Sequence, residues 1–175
     1  ADEDAALRLT EGGEDPRVGA AAAPFDRPAL YSESTRVPLI LGSGSIGSGA
    51  NVPQMTAVEP PSLGNPGFTV GISKALGGAQ AVLVVDKNDP GTGSGIPAAG
   101  SFARVVLQLN GSGAGQGFGS VRLQIPSDPS LVGSSFFGRW YVTDSGAQNG
   151  VAVSPAFKMT IFGDAVEPAS GATGV

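Results

Sequence analysis

The chain has 175 residues, enough for one domain with a single core. Apolar residues make up 41% and charged residues only 14%, and 28 Gly with 14 Pro suit short strands joined by turns rather than helices. With no Cys and no His, disulfides, thiolate or His-based zinc sites and Ser-His or Cys-His catalytic pairs are excluded, and the net charge is −5.

Residues 1–35 read as an extended acidic arm. They hold eight acids and three bases (net −5), against five acids and seven bases in 36–163 (net +2) and two acids in a 164–175 tail (net −2). Pro16, Pro24 and Pro28 forbid a continuous helix there and push the residue before each towards extended backbone. The body lacks a strong cationic field, so nucleic acid is not an expected partner. No apolar run approaches the roughly 18 residues of a membrane span. A start at ADEDAAL without Met is what signal-peptide removal leaves, so a secreted, cell-surface setting is expected.

From residue 36 the pattern is strands and turns. RVPLIL (36–41) precedes a Gly/Ser loop, and VPQMTAV (52–58) is stopped by Glu59-Pro60-Pro61. GFTVGISKAL (67–76) sets Phe68, Val70 and Ile72 against Thr69, Gly71 and Ser73. Gly77-Gly78 then predicts a hairpin turn into AQAVLVVD (79–86). A long loop, KNDPGTGSGIPAAG (87–100), leads to FARVVLQL (102–109) and, after the loop NGSGAGQG (110–117) with its turn at Asn110-Gly111-Ser112, to FGSVRLQI (118–125). That turn also matches an N-glycosylation sequon. FFGRWYVT (136–143), VAV (151–153) and AFKMTIF (156–162) complete the set. Period-2 alternation implies one buried and one wet face per strand. The fold class expected is all-β: an antiparallel two-sheet β-sandwich, Ig-like or jelly-roll-like, over residues 36–163 behind an extended N-terminal arm. A barrel is the alternative.

The wording of LGNPGFTVGISKALGGAQAVLVVD (63–86), IPSDPSLVGSSFFGRWYVTD (125–144) and GVAVSPAFKMTIFG (150–163) resembles β-sandwich modules of large secreted and surface proteins of environmental bacteria. The shared residues are Gly64-Asn65, Gly67, Gly77-Gly78, Pro126, Asp128-Pro129, Gly133, Trp140 and Ser154, all of turn or core type. The resemblance implies a sandwich fold and an extracellular setting, and it covers about residues 63–163.

Chemistry is sparse. The carboxylates of the body are Glu59, Asp86, Asp89, Asp128 and Asp144, all beside turn signals, so no catalytic pair and no cofactor is expected. Asp86, Asn88 and Asp89 bring three oxygen donors together as a candidate cation site. They lack EF-hand spacing, and an Asx-type turn explains them as well. Trp140 and Tyr141, adjacent on a strand, must face opposite ways. With Tyr31 they are the candidates for stacking on a sugar, polysaccharide being the alternative partner.

The arm is the feature that suggests a role. An extended segment adds to an open sheet edge through main-chain hydrogen bonds and alternate side chains. Ala5, Leu7 and Leu9 alternate with Ala6, Arg8 and Thr10 and are the best insertion candidates, followed by Ala20, Ala21, Ala22, Ala23, Phe25 and Leu30. Docking into a neighbouring copy would be heterologous and open-ended, giving a head-to-tail homopolymer: a filament, sheath or surface layer. A carbohydrate-binding or adhesive module and a virion or appendage decoration protein are the rivals.

Overall fold

A computed structural model describes residues 37–93 and 95–163. The strands are β1 (Leu39–Leu41), β2 (Gln54–Thr56), β3 (Phe68–Gly77), β4 (Gln80–Asp86), β5 (Ala103–Gln108), β6 (Gly113–Leu123), β7 (Ser135–Thr143), β8 (Val151–Val153) and β9 (Ala156–Thr160). They form two antiparallel sheets, as expected for a sandwich rather than a closed barrel. The larger has the order β1-β9-β7-β4-β5, with β8 also on β7, and the smaller has the order β2-β3-β6.

The inward positions of both sheets make the core. Phe68, Val70 and Ile72 of β3 face Leu83 and Val85 of β4 and Trp140 of β7, all buried. Burying a side chain of this size stabilises the fold by about 1.5–3 kcal/mol. Trp140 Nε1 also donates to the Gly71 carbonyl at 3.1 Å, a hydrogen bond that crosses from one sheet to the other.

Two expectations are corrected. Gly77-Gly78 is not a hairpin turn, because β3 and β4 lie in different sheets, and the pair forms the corner between them. Gly78 takes φ +70, the left-handed backbone that glycine tolerates. Likewise Asn110 is not a plain hairpin turn: β5 and β6 lie in different sheets, and Asn110 pairs instead with Phe118. A sequence turn reports that the chain bends. It does not report whether the next strand returns beside the last one or crosses the core.

Register shifts at two places, within β3 and between β8 and β9, keep the apolar pattern pointing inward. Continuing the alternation Phe68, Val70, Ile72 would place Lys74 in the core. The register with β6 shifts between Ile72 and Ala75, Lys74 takes φ +54 and is exposed, and Ala75 becomes the buried residue. A second shift lies between β8 and β9. Tyr141 pairs with Val153 but Gly138 with Phe157, so one extra residue is accommodated at Ser154-Pro155. Pro155, lacking an N–H, sits where the ladder is already interrupted. The inward set changes there from Ala152 to Phe157 and Met159.

At this second bulge the ladder is patched by a side chain. The Trp140 N–H donates to Ser154 Oγ at 3.0 Å, Ser154 Oγ donates to the Pro155 carbonyl at 2.7 Å, and the Ser154 N–H returns to the Trp140 carbonyl at 3.0 Å. Ser154 is fully buried. Ser154→Ala leaves the Trp140 N–H without an acceptor, and a loss of about 1–3 kcal/mol is expected in urea unfolding with an unchanged denaturant slope.

Candidate functional site

The outer face of the larger sheet is not wet, as the alternation suggests, but covered. Val82 and Val84 of β4, Tyr141 of β7 and Val153 of β8 form a second buried cluster, with Ile96 of the 87–100 loop packed on it. The uninterrupted apolar run Ala81–Val85 is the sequence signal for a strand buried on both sides.

Arg139 holds this cover in place. On a strand it must share the outward face with Tyr141, and it is 5% exposed. Its Nε and Nη2 grip the two oxygens of Asp89 at 2.5 and 2.7 Å, a bidentate pair that selects a planar guanidinium. Its Nη1 donates to the Ser43 carbonyl at 3.0 Å and the Ser154 carbonyl at 2.8 Å. One side chain thus ties the 87–100 loop, the segment after β1 and the Ser154 bulge to β7. The Tyr141 hydroxyl adds a bond to the Gly91 carbonyl at 2.6 Å.

The candidate cation ligands do not converge. Asp89 accepts from Arg139 and, at 2.9 Å, from the Gly91 N–H, an Asx-type turn. Asp86 accepts from the Ser101 hydroxyl at 2.7 Å and the Lys87 N–H at 2.6 Å, while Asn88 is exposed. Among the described residues no group of three or more His, Cys, Asp or Glu is placed to hold a metal ion. The hydrogen bond from Arg139 holds the Asp89 carboxyl below its usual range. Burial pushes Asp144 up, but bonds from the Ser48 hydroxyl and N–H and from the Gly146 N–H outweigh it and leave it lowered.

The expected sugar platform is also corrected. Trp140 and Tyr141 are both 0% exposed, one in the core and the other under the 87–100 loop, so neither offers a ring face to a saccharide. Tyr31 and the insertion candidates Ala5, Leu7, Leu9, Ala20 to Ala23, Phe25 and Leu30 lie outside the described residues.

What the described residues do present is an exposed apolar edge. β1 pairs with β9 on one side only, and Leu39, Ile40 and Leu41 are 52, 48 and 38% exposed. No charged residue occurs from Val37 to Val58. The other edges differ. β5 carries exposed Arg104, β2, like β1 three residues long and next to a Pro, buries its central Met55, and the free flank of β6 meets Asn110 at Phe118. Charge, shortness and covering are how edges avoid unwanted pairing, and β1, though short, has neither charge nor cover. No family model matches the chain, and no curated protein matches it either.

Arg139→Met leaves two carbonyls and the part-exposed Asp89 carboxylate without their donor, and a loss of about 1–3 kcal/mol is expected at neutral pH. A lowered Asp89 pKa stabilises the fold above the ordinary value of 3.8 and ceases to do so as pH falls through the folded value. Wild type and Asp89→Asn should therefore differ in Tm at pH 7, and the difference should shrink only as pH falls below 3.8 through the lowered folded value. Burial pushes the Tyr141 hydroxyl up to about 12, so its stabilising contribution is complete below 10 and lost as pH rises towards 12. In a Tyr31→Phe background, absorbance near ~295 nm should report phenol ionisation close to 12 rather than near the usual ~10.

Proposed function

We propose that this protein is an extracellular structural subunit that assembles head to tail, the N-terminal segment of one copy adding as a strand to edge β1 of the next. The observation that carries this reading is the apolar, uncharged β1 edge, with Val37, Leu39, Ile40 and Leu41 all at least 38% exposed. The alternation of Ala5, Leu7 and Leu9 suits the side chains of such an added strand. Each cross-strand pair contributes roughly 0.2–1 kcal/mol, so several registered pairs are needed, and contacts beyond the three residues of β1 must share the load.

Reach and charge agree with docking in a neighbouring copy. A segment of 36 residues precedes Val37 and spans at most about 130 Å when extended. Its acids, net −5 over residues 1–35, meet a body of net +2, a modest attraction that salt screens. Because donor and acceptor surfaces differ, the contact is heterologous and continues into a filament, sheath or surface layer.

A non-catalytic role fits the carboxylates of the body. Glu59 accepts the Thr69 N–H at 2.7 Å and Asp128 the Ser130 N–H at 2.9 Å. Asp86, Asp89 and Asp144 are occupied as described above. The secreted setting rests on the resemblance over residues 63–163.

Purified full-length chain should form fibres in negative stain, and a variant lacking residues 1–35 should remain monodisperse. Ile40→Lys should block fibres while leaving the circular dichroism and Tm of the monomer unchanged. Fibres from the truncated chain would refute the donor role of the segment, and undiminished assembly by Ile40→Lys would refute β1 as the acceptor.

A further inference from the structure

At one end of the sandwich the start of β7, the approach to β5 and the segment after β6 enclose an open cleft of about 340 Å³. Phe102, Phe136, Pro126 and Leu131 supply apolar lining, and Lys87, Gln124 and Asp128 are polar, exposed residues that also line it. The Phe102 and Phe136 rings lie 4.6 Å apart and tilted by 48°, so the half-buried Phe102 is backed by a buried ring. The volume lies at the lower end of ligand-sized pockets.

We propose that this cleft binds a neutral carbohydrate through one or two pyranose rings. The chemistry is set by what the lining combines. An apolar wall containing an aromatic ring receives the C–H face of a sugar. Lys87 donates only, an ionised Asp128 accepts only, and Gln124 does both, which matches hydroxyl groups that donate and accept. The opposed charges argue against an ionic ligand, since an anion would meet Asp128 and a cation would meet Lys87. Asp128 stays ionised because the Ser130 hydroxyl and N–H hold its carboxyl below the usual range. Lys87 has no ion pair among the described residues, where Arg139 takes Asp89. The site is distinct from the buried Trp140 and Tyr141 rings, and it does not depend on edge β1 or on assembly.

The test is calorimetric titration of the full chain with neutral tetrasaccharides of gluco, galacto, manno and xylo configuration, with tetragalacturonate as the anionic control. The expected result is saturable binding of at least one neutral tetrasaccharide and weaker or absent binding of the uronate. Lys87→Ala and Asp128→Asn lie at the exposed rim, and each should weaken that binding at least tenfold; Tm should be unchanged in Lys87→Ala, and circular dichroism unchanged in Asp128→Asn, which keeps an acceptor for the Ser130 N–H. Phe102→Ala should abolish it, and circular dichroism on that variant establishes that the sandwich is still folded. No saturable binding across the neutral panel, tighter binding of the uronate, or affinity unchanged in both Lys87→Ala and Asp128→Asn would overturn the proposal.

Discussion

The guanidinium of Arg139 is the contact on which the larger sheet depends. A charge that deep in a β-protein is stabilising only when every donor it points inward finds an acceptor, and here a carboxylate and two carbonyls do so. The three acceptors come from separate stretches of chain, at Ser43, Asp89 and Ser154. Arg139 therefore does what a disulfide does in small secreted domains: it fixes loops that are far apart in sequence. In a chain without Cys, that task falls to polar side chains. Asp144 repeats the logic on a smaller scale, gathering the Ser48 and Gly146 N–H groups of two turns.

Covering the outer face of β4 and β7 has consequences for where anything else can bind. A loop of Gly, Pro and Asp residues, poor in apolar groups apart from Ile96, lies over Val82, Val84 and Tyr141. The centre of the larger sheet is thereby closed to ligands and partners on both sides. Among the described residues, its margin at β1 and the end of the sandwich near Phe102 stay open. β1 is short and follows Pro38, yet all three of its side chains are apolar and exposed, whereas the equally short β2 buries Met55. The end cleft is of another character, because its aromatic and polar groups converge on a concave volume.

The bulges show how a sequence with imperfect alternation still builds a clean core. Lys74 falls on the inward phase of β3, and the backbone there turns left-handed to expose it. Ser154 falls where β8 gives way to β9, and its hydroxyl replaces a missing ladder acceptor. Gly138 serves the same packing by omission: a Cβ there would overlap the Phe157 ring.

Composition and period-2 patterning were enough to find a segment of each of the nine strands and the inward sets Phe68, Val70, Ile72 and Phe157, Met159, Ile161, because alternation is a local property of the strand itself; the Gly-rich first half of β6, residues 113–117, reads as loop because it carries no such alternation. They were also enough to place Trp140 and Tyr141 on opposite faces. Tertiary structure alone decided that Gly77-Gly78 crosses between sheets, that the 87–100 loop lies over Tyr141, and that Asp89 faces Arg139 across 50 residues rather than a cation. The physical reason is one of range. A turn residue or a carboxylate records its local backbone preference and its charge, while its partner is chosen by which sheets stack and which loop has the length to fold over them.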